Sequence, residues 1–288
     1  MKKVSIVIPV YNGVNTIQQT VDSALCQSYP NTEVIVVDDH SSDGTWALLN
    51  ELYSDKAMLI RHLKNSGGSA ARNSGANAAS GDYIAFLDAD DEWYSSKLLS
   101  QVRQIENSEL NNCVAVYCKA HNDKLEVLGE NHTGQFIREV FCGEASIVSS
   151  SALLIKADVF HKIHGFDPSF MRHQDIELVI RLMKEGSIDI VNEPLFRKHY
   201  SGDASMRAVI QGISRFWRTF ENDIATLSAR DKRMVYARGY LRFFEVAYKE
   251  NQYYKSIKYF LRSLLCTPRA LWKKKGEYTS SLNKRLSW

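Results

Sequence analysis

The sequence predicts an α/β fold: a Rossmann-like, mostly parallel sheet flanked by helices, with a helical C-terminal extension. Three observations lead there. Through the first third of the 288 residues, apolar β-branched runs alternate with segments of helical spacing, and strands separated by helices imply right-handed crossovers and parallel pairing. Those runs are continuously apolar rather than alternating, as in strands buried on both faces. From about Met206 onward the chain reads as helices alone.

Each element follows from local pattern. VSIVIPV (4–10) reads as the first strand, and NTIQQTVDSALCQS (15–28) as a helix with Ile17, Val21, Ala24 and Leu25 on one face. TEVIVVDD (32–39) is the second strand, and DGTWALLNELYSD (43–55) a helix with Asp43 as its N-cap candidate. AMLIRHLK can supply a third strand, the Ala-rich SAARNSGANAAS a helix despite Gly75, and GDYIAFLD (81–88) a fourth strand. Beyond residue 95 come a helix (SSKLLSQVRQIENS), a strand (CVAVYCKA), one or two strands with a short helix (GEASIVSSSALLIKADVFHKIHGF), an amphipathic helix closed by Gly186 (DIELVIRLMKEG) and a last strand (IDIVNEPLFRKH).

A composition of 44% hydrophobic and 24% charged residues is that of a globular chain able to bury a full core. No run of about 18 apolar residues and no signal-peptide pattern is seen, which sets a cytoplasmic expectation. The five cysteines are scattered without zinc-site spacing, so reduced thiols are expected. Charge is uneven: residues 1–204 hold 18 Lys+Arg against 27 Asp+Glu, and residues 205–288 hold 18 against 6. An acidic body thus carries a basic tail. Such a tail suits anionic lipid head groups, with Trp272 beside Lys273, Lys274 and Lys275 as a candidate interfacial anchor. The helical spacing of Tyr240, Phe243, Phe244 and Ala247 reads as core packing. No nucleic-acid recognition motif is present, so nucleic acid is not an expected partner.

In sheets of this kind ligands gather at the carboxyl ends of the strands. The polar residues that break the apolar runs fall there: Tyr11 and Asn12, Asp38 and Asp39, then Asp88, Asp90 and Asp91 in FLDADDEW. One Asp-x-Asp is a weak signal, and a solvated turn explains it in isolation. Two acidic strand ends side by side are costly unless a cation neutralises them, and oxygen ligands suit Mg2+ or Mn2+. Magnesium often takes one or two carboxylates and fills its other positions with water and phosphate oxygens, which points to a diphosphate-bearing substrate.

Four blocks then carry a resemblance: VSIVIPVYN (4–12), VVDDHSSDGT (36–45), NSGGSAARNSGANAASGDYIAFLDADD (65–91) and GFDPSFMRHQDIELVIRLMKEG (165–186). In that order the chain resembles the inverting, GT-A-fold glycosyltransferases of family 2, over about Val4 to Ser205. The resemblance implies a catalytic domain over 1–205, with a nucleotide-binding half (1–95) and an acceptor half (96–205), ahead of a basic helical extension (206–288). It implies Pro9 and Tyr11 around the nucleotide base, Asp39 accepting from the base edge with uracil apt, and Arg72 near base or diphosphate. Asp38 reads as a structural turn carboxylate. Asp88 and Asp90 match the family's Asp-x-Asp, so that Asp90 touches Mn2+ or Mg2+ and Asp88 reaches ribose or a metal-bound water. Asp175 matches the second position of the Glu-Asp motif, the catalytic base, with Gln174 standing where the family has Glu. Its alternative is a helix N-cap. Glu177 would support that helix or contact acceptor. His199, in LFRKH, falls where similar enzymes carry Arg-x-His and would complete the metal site or contact phosphate. Trp93 fits an acceptor wall or the core equally.

The implied activity is metal-dependent transfer of a hexose or N-acetylhexosamine from a nucleotide-sugar donor, UDP-linked, to a saccharide or lipid-linked saccharide acceptor in surface polysaccharide assembly. Absence of the Gln-x-x-Arg-Trp signature of processive members favours single-sugar addition. A metal-dependent nucleotidyltransferase and a non-catalytic nucleotide-sugar-binding module are the alternatives; the first would release pyrophosphate, and the second would lack the base.

Overall fold

In chain order the first elements are β1 (Val4–Val10), α1 (Ile17–Leu25), β2 (Thr32–Asp38), α2 (Thr45–Tyr53), β3 (Met58–Arg61), α3 (Gly68–Ala78), β4 (Tyr83–Phe86), β5 (Glu92–Trp93), α4 (Lys97–Glu106), β6 (Cys113–His121) and β7 (Val127–Leu128). There follow α5 (Ile137–Phe141), β8 (Leu153–Lys156), α6 (Ala157–Lys162), α7 (Gln174–Glu185), β9 (Ser187–Arg197), α8 (Met206–Thr219), α9 (Glu221–Thr226), α10 (Ala229–Lys249) and α11 (Tyr253–Cys266). This computed structural model describes residues 1–199 and 205–267. The chain divides into two units, Met1–Ile137 with Ala145–Gly202, and Arg138–Glu144 with Asp203–Trp288.

In the first unit all seven residues of β1 are buried, as a continuous β-branched run requires of a strand covered on both faces. It pairs in parallel with β2 on one side and β4 on the other, and β3 extends the parallel set beyond β2. The nine-stranded sheet runs β3-β2-β1-β4-β8-β6-β9-β5, with β7 beside β6. The chain therefore moves outward from β1 to β3 and then returns to the other side of β1. This reversal opens a crevice at the carboxyl ends of β1 and β4, where α/β sheets receive ligands.

Helix α3 covers the parallel strands closely because of Gly75. A Cβ there would lie 2.4 Å from Val7 Cγ1 and 3.1 Å from Val37 Cγ2. Past β4 the sheet becomes mixed: β8 lies antiparallel to both β4 and β6, whereas β6 and β9 are parallel. Pro194 sits within β9 at a register shift opposite Lys119, where a missing N–H is tolerated.

Two local expectations shift by a residue or two. Helix α2 has Gly44 at its N-cap position, with φ +96°. Asp43 still caps, from one residue earlier, because its Oδ1 accepts the Thr45 N–H at 3.0 Å. Strand β4 ends at Phe86, and the Asp88 N–H leaves the ladder for Ser151 Oγ at 3.0 Å.

In the second unit, α10 and α11 form an antiparallel hairpin: Ser256 Oγ donates to Phe244 O and Ser263 Oγ to Ala237 O. The aromatic stripe expected to pack does so among the helices of this unit. Val209, Phe243 and Val246 form a buried cluster with Trp217, Tyr240 and Tyr259 against it. Among the described residues no helix is long and apolar enough to cross a membrane. Trp272 and Lys273 to Lys275 lie outside the described residues.

Candidate active site

The crevice at the reversal contains a cavity of about 120 Å³, and Pro9, Tyr11, Asp39, Arg72 and Asp88 line it. Pro9 and Tyr11 come from the end of β1, Asp39 from the residue after β2, Arg72 from the first turns of α3 and Asp88 from the loop after β4. Tyr11 is 54% exposed, so its ring face is open. A larger hollow of about 610 Å³ lies between Lys2, Tyr83, Glu106 and Lys156, toward the amino ends of β1 and β4. None of the expected site residues lines it.

Asp39 is almost fully buried, and its carboxylate organises the turn before α3. Oδ1 accepts from His62 Nδ1 (2.7 Å) and from the Ser66 N–H (2.8 Å), and Oδ2 accepts the Gly67 N–H (2.7 Å). A carboxylate has about four acceptor sites, so one on Oδ2 remains for a ligand N–H. The glycine-rich SGGS turn thus spends two backbone donors on Asp39. Gly67 supplies the φ of +89° that aims its N–H there. Asp38 is structural: Oδ1 accepts the Ser41 N–H and Oδ2 lies 3.1 Å from Arg61 Nε.

Arg72, 6% exposed, joins the base side of the site to the acidic loop. Its Nη2 donates to Asp88 Oδ1 at 2.5 Å, and its guanidinium lies 5.5 Å from the Phe166 ring centroid. Gln174, oriented so that its amide satisfies its neighbours, accepts from Arg72 Nη1 at 3.0 Å and donates to Ser69 Oγ and Phe170 O. The residue in which this chain departs from the family motif therefore positions Arg72. Asn73 fixes the same contact from α3, exchanging hydrogen bonds with the Phe166 backbone at 2.8 and 2.9 Å.

The acidic loop is held from below. Thr20 Oγ1 donates to the carbonyls of Ala89 and Asp91. Burial would raise the Asp88 carboxyl, but the charges of Arg72 and Lys198 and the Ser150 hydroxyl hold it below its ordinary value. Asp91 goes the other way. Burial and the Asp88 charge push it up to about 7, although Lys198 and Ser151 pull it down. Two carboxyls that repel at close range separate their titrations in this way.

Lys198 was not singled out by the sequence, and it sits one residue past the end of β9. Its Nζ lies 3.7 Å from Asp91 Oδ2. Burial disfavours its charge, yet Asp91, Asp88, Asp90 and Asp175 outweigh that and hold the ammonium above its ordinary value. The strand-end rule that drew attention to Asp39 and Asp88 applies equally to LFRKH, so the signal was present.

His199 accepts no role in the small cavity. Its Nδ1 lies 2.6 Å from Asp123 Oδ1, and its backbone N–H meets Asp91 Oδ1 at 3.3 Å. The carboxylate holds a proton on Nδ1, so in the neutral ring the Nε2 lone pair is available, and Nε2 is buried without a hydrogen-bond partner. Asp90, next to Asp91 in the acidic loop, is half-buried and makes no hydrogen bond among the described residues. A carboxylate and an imidazole nitrogen are suitable donors for Mn2+ or Mg2+. Among the described residues, no three His, Cys, Asp or Glu side chains are gathered closely enough to hold an ion by themselves, so substrate oxygens and water would have to complete the shell.

Asp175 lies in the first turn of α7, half-exposed, with His173 rather than Asp175 at the N-cap position. Its Oδ1 accepts the Ile176 N–H at 2.9 Å. Glu177 is engaged in the helix, both oxygens bonded by Arg181. Trp93 is a core residue: it is 3% exposed, its Nε1 donates to Ser151 O, and the Lys97 ammonium stands 3.7 Å from its ring centroid.

The family described as Glycosyl transferase family 2 matches residues 5–163. The amylovoran biosynthesis glycosyltransferase AmsB of Erwinia amylovora is 34% identical over 208 residues, 68% of this chain and 69% of that protein. WfaP of Escherichia coli, a UDP-Glc:alpha-D-GlcNAc-diphosphoundecaprenol beta-1,3-glucosyltransferase, is 41% identical over 110 residues, 38% of this chain and 44% of that one. Among solved structures, S. aureus TarS in complex with UDP-GlcNAc aligns at TM-score 0.61 and 14% identity, covering 90% of this chain and 89% of its own. Mannosyltransferase PcManGT from Pyrobaculum calidifontis, in complex with GDP-Man and Mn2+, aligns at TM-score 0.61 and 17% identity, covering 95% and 88%. At such identities the structural likeness concerns the GT-A fold.

Proposed function

The chain belongs to glycosyl transferase family 2, and from that premise we propose that it moves a hexose or N-acetylhexosamine from a UDP-linked donor to a saccharide or lipid-linked saccharide hydroxyl, with inversion, at the cytoplasmic face of surface polysaccharide assembly. The observation that carries the reading is the single cavity lined by Pro9, Tyr11, Asp39, Arg72 and Asp88. It offers a ring face, one free acceptor and a guanidinium within one crevice, the donors and acceptors that a pyrimidine nucleotide requires. The printed activity of the Escherichia coli relative, with a UDP-Glc donor and a diphosphoundecaprenol-linked acceptor, supports the same donor and acceptor classes.

In this reading Asp39 accepts the uracil N–H, Tyr11 covers the ring, and Arg72, held in place by Asp88 and Gln174, faces the diphosphate. Asp175 takes the proton of the acceptor hydroxyl as the hydroxyl oxygen forms its bond to the anomeric carbon. The bond from that carbon to the diphosphate oxygen breaks on the opposite face, and its electron pair leaves with UDP. One displacement inverts the centre, so one base is enough. Lys198 contributes positive charge to the leaving side. Asp90 and His199 would hold Mn2+ or Mg2+, and the ion would supply charge stabilisation to the departing diphosphate.

The test is a panel of nucleotide sugars with product analysis. UDP and a glycosylated acceptor are expected, and pyrophosphate release would indicate nucleotidyl transfer instead. Asp175→Asn should keep UDP affinity while lowering transfer by roughly 10²- to 10⁴-fold. Undiminished transfer in that variant would remove Asp175 as the base.

A further inference from the structure

The second unit carries a surface that the transfer reaction does not use. Helix α11, YYKSIKYFLRSLLC, has two distinct sides and no acidic residue. Ser256 and Ser263, 2% and 0% exposed, bond the α10 carbonyls. On the other side Tyr254, Ile257, Leu261 and Leu265, spaced three, four and four residues apart, are 83%, 61%, 52% and 85% exposed. Such spacing aligns them in one stripe along the helix. Lys255 and Lys258 are exposed along its flank, with no carboxylate partner among the described residues. Arg262 continues that flank, its guanidinium also 5.6 Å from the Tyr240 ring centroid.

Single exposed apolar residues are ordinary, but four large ones in line mark a surface that is covered in use. We infer that the outer face of α11 docks on the anionic surface of a lipid bilayer. The stripe enters the boundary between head groups and acyl chains, and Lys255, Lys258 and Arg262 meet the lipid phosphates. The charge pattern selects this occupant. A second copy of the helix across a two-fold would bring three cations against three cations with no acid to answer them. The remainder of the chain is also unsuited: residues 268–288 hold six Lys+Arg and one Glu, so they repel the same flank. An apolar stripe bordered by cations is the composition of an interfacial helix. The inference deepens the proposed lipid-linked acceptor, which would be met at that surface, but it stands on the second unit alone.

The experiment uses the full chain and vesicle flotation. The protein should float with vesicles of phosphatidylcholine mixed with phosphatidylglycerol, and not with phosphatidylcholine alone. Lys255→Glu/Lys258→Glu should weaken that binding by at least ~25-fold, from about fivefold per cation near an anionic surface. Ile257→Ser/Leu261→Ser/Leu265→Ser should weaken it by at least ~10-fold. All five side chains are exposed, so folding is not at stake, and UDP release from the donor in the absence of lipid should be unchanged. Unaltered flotation of either variant, or no flotation of the parent chain, overturns the inference. A dimer in sedimentation that the serine variant dissociates would assign the stripe to a second copy and overturn it equally. Loss of flotation with intact UDP release separates this surface from the transfer site, which Asp175→Asn tests.

Discussion

Replacing Arg72 by Met removes a guanidinium that is 6% exposed and pairs with Asp88 at 2.5 Å. Met fills most of the same channel beside Phe166, so the cost is chiefly electrostatic. Asp88 keeps the Ser150 hydroxyl at 3.0 Å but loses the nearest of the two charges that outweigh its burial. Breaking a buried pair from one side costs ~3–5 kcal/mol. The Asp88 side chain is 20% exposed and Lys198 remains, which places Arg72→Met at or below the lower end of that range, at ~2–3 kcal/mol. Arg72→Met/Asp88→Leu removes both charges, and an apolar replacement of a whole buried pair is often neutral. Asp88→Leu alone strands the buried guanidinium at a similar ~2–3 kcal/mol, so a double variant within ~1 kcal/mol of the parent chain means a coupling of at least ~3 kcal/mol, while UDP affinity is lost in all three variants. Urea unfolding at constant m reads the stabilities. The sign with pH follows from the lowered Asp88 carboxyl. Its contribution is complete above the unfolded value of ~3.9 and drains as pH falls through the folded value, so the gap between parent and Arg72→Met should close below about pH 4. A single variant within ~0.5 kcal/mol of the parent at neutral pH, or a double variant as unstable as the sum of its parts, would refute the reasoning.

Other outcomes are expected from the same physics. Lys97 is fully buried, and burial pushes its ammonium down to about 8, so its charge costs stability below that pH and the cost fades as pH rises toward the unfolded value of ~10.4. Lys97→Met should stabilise the chain by ~1–2 kcal/mol at pH 7, after loss of the Trp93 and Gln101 contacts, with the advantage shrinking by pH 10; equal effects at both pH values in urea melts would contradict this. Lys198→Met should weaken metal-free UDP binding by ~10- to 100-fold in calorimetry with chelator, the scale of a hydrogen bond to a charged group, and unchanged binding would exclude Lys198 from the diphosphate. Asp90→Ala should abolish the increment in UDP affinity that Mn2+ provides while leaving metal-free affinity within about twofold, and a surviving increment would remove Asp90 as a ligand.

Much of the first unit was legible because its information is local. Apolar runs, crossover helices and strand-end polars name β1 to β4 and bring Pro9, Tyr11, Asp39, Arg72 and Asp88 to one crevice. What local pattern could not supply is long-range pairing. Strand β8 enters antiparallel between β4 and β6, and the two residues of β5 pair with β9 at the far edge. Those pairings bring Ser150 and Ser151 beneath the acidic loop, and the end of β9 brings Lys198 against it. Gln174 read as a departure from a motif, because its neighbour Arg72 is a hundred residues away in sequence and only the fold introduces them.

The crowding in LDADD is resolved unevenly, and the unevenness separates scaffold from reagent. Asp88 is answered by Arg72 and Ser150. Asp91 takes the Ser151 hydroxyl and the His199 N–H, and with its carboxyl pushed up to about 7 it sheds much of its charge near neutral pH. Asp39 spends three of its acceptor sites on the turn before α3. Two acids are left less satisfied among the described residues: Asp90, with no hydrogen bond there, and Asp175, whose carboxylate meets only its own helix there, at the Ile176 N–H. Both lie in the field of Lys198. Buried polar groups are ordinarily paired, so an acid left open in a charged cleft is a candidate for chemistry rather than for holding the fold. Asp90 and Asp175 are the two to which the proposed reaction gives an ion and a proton.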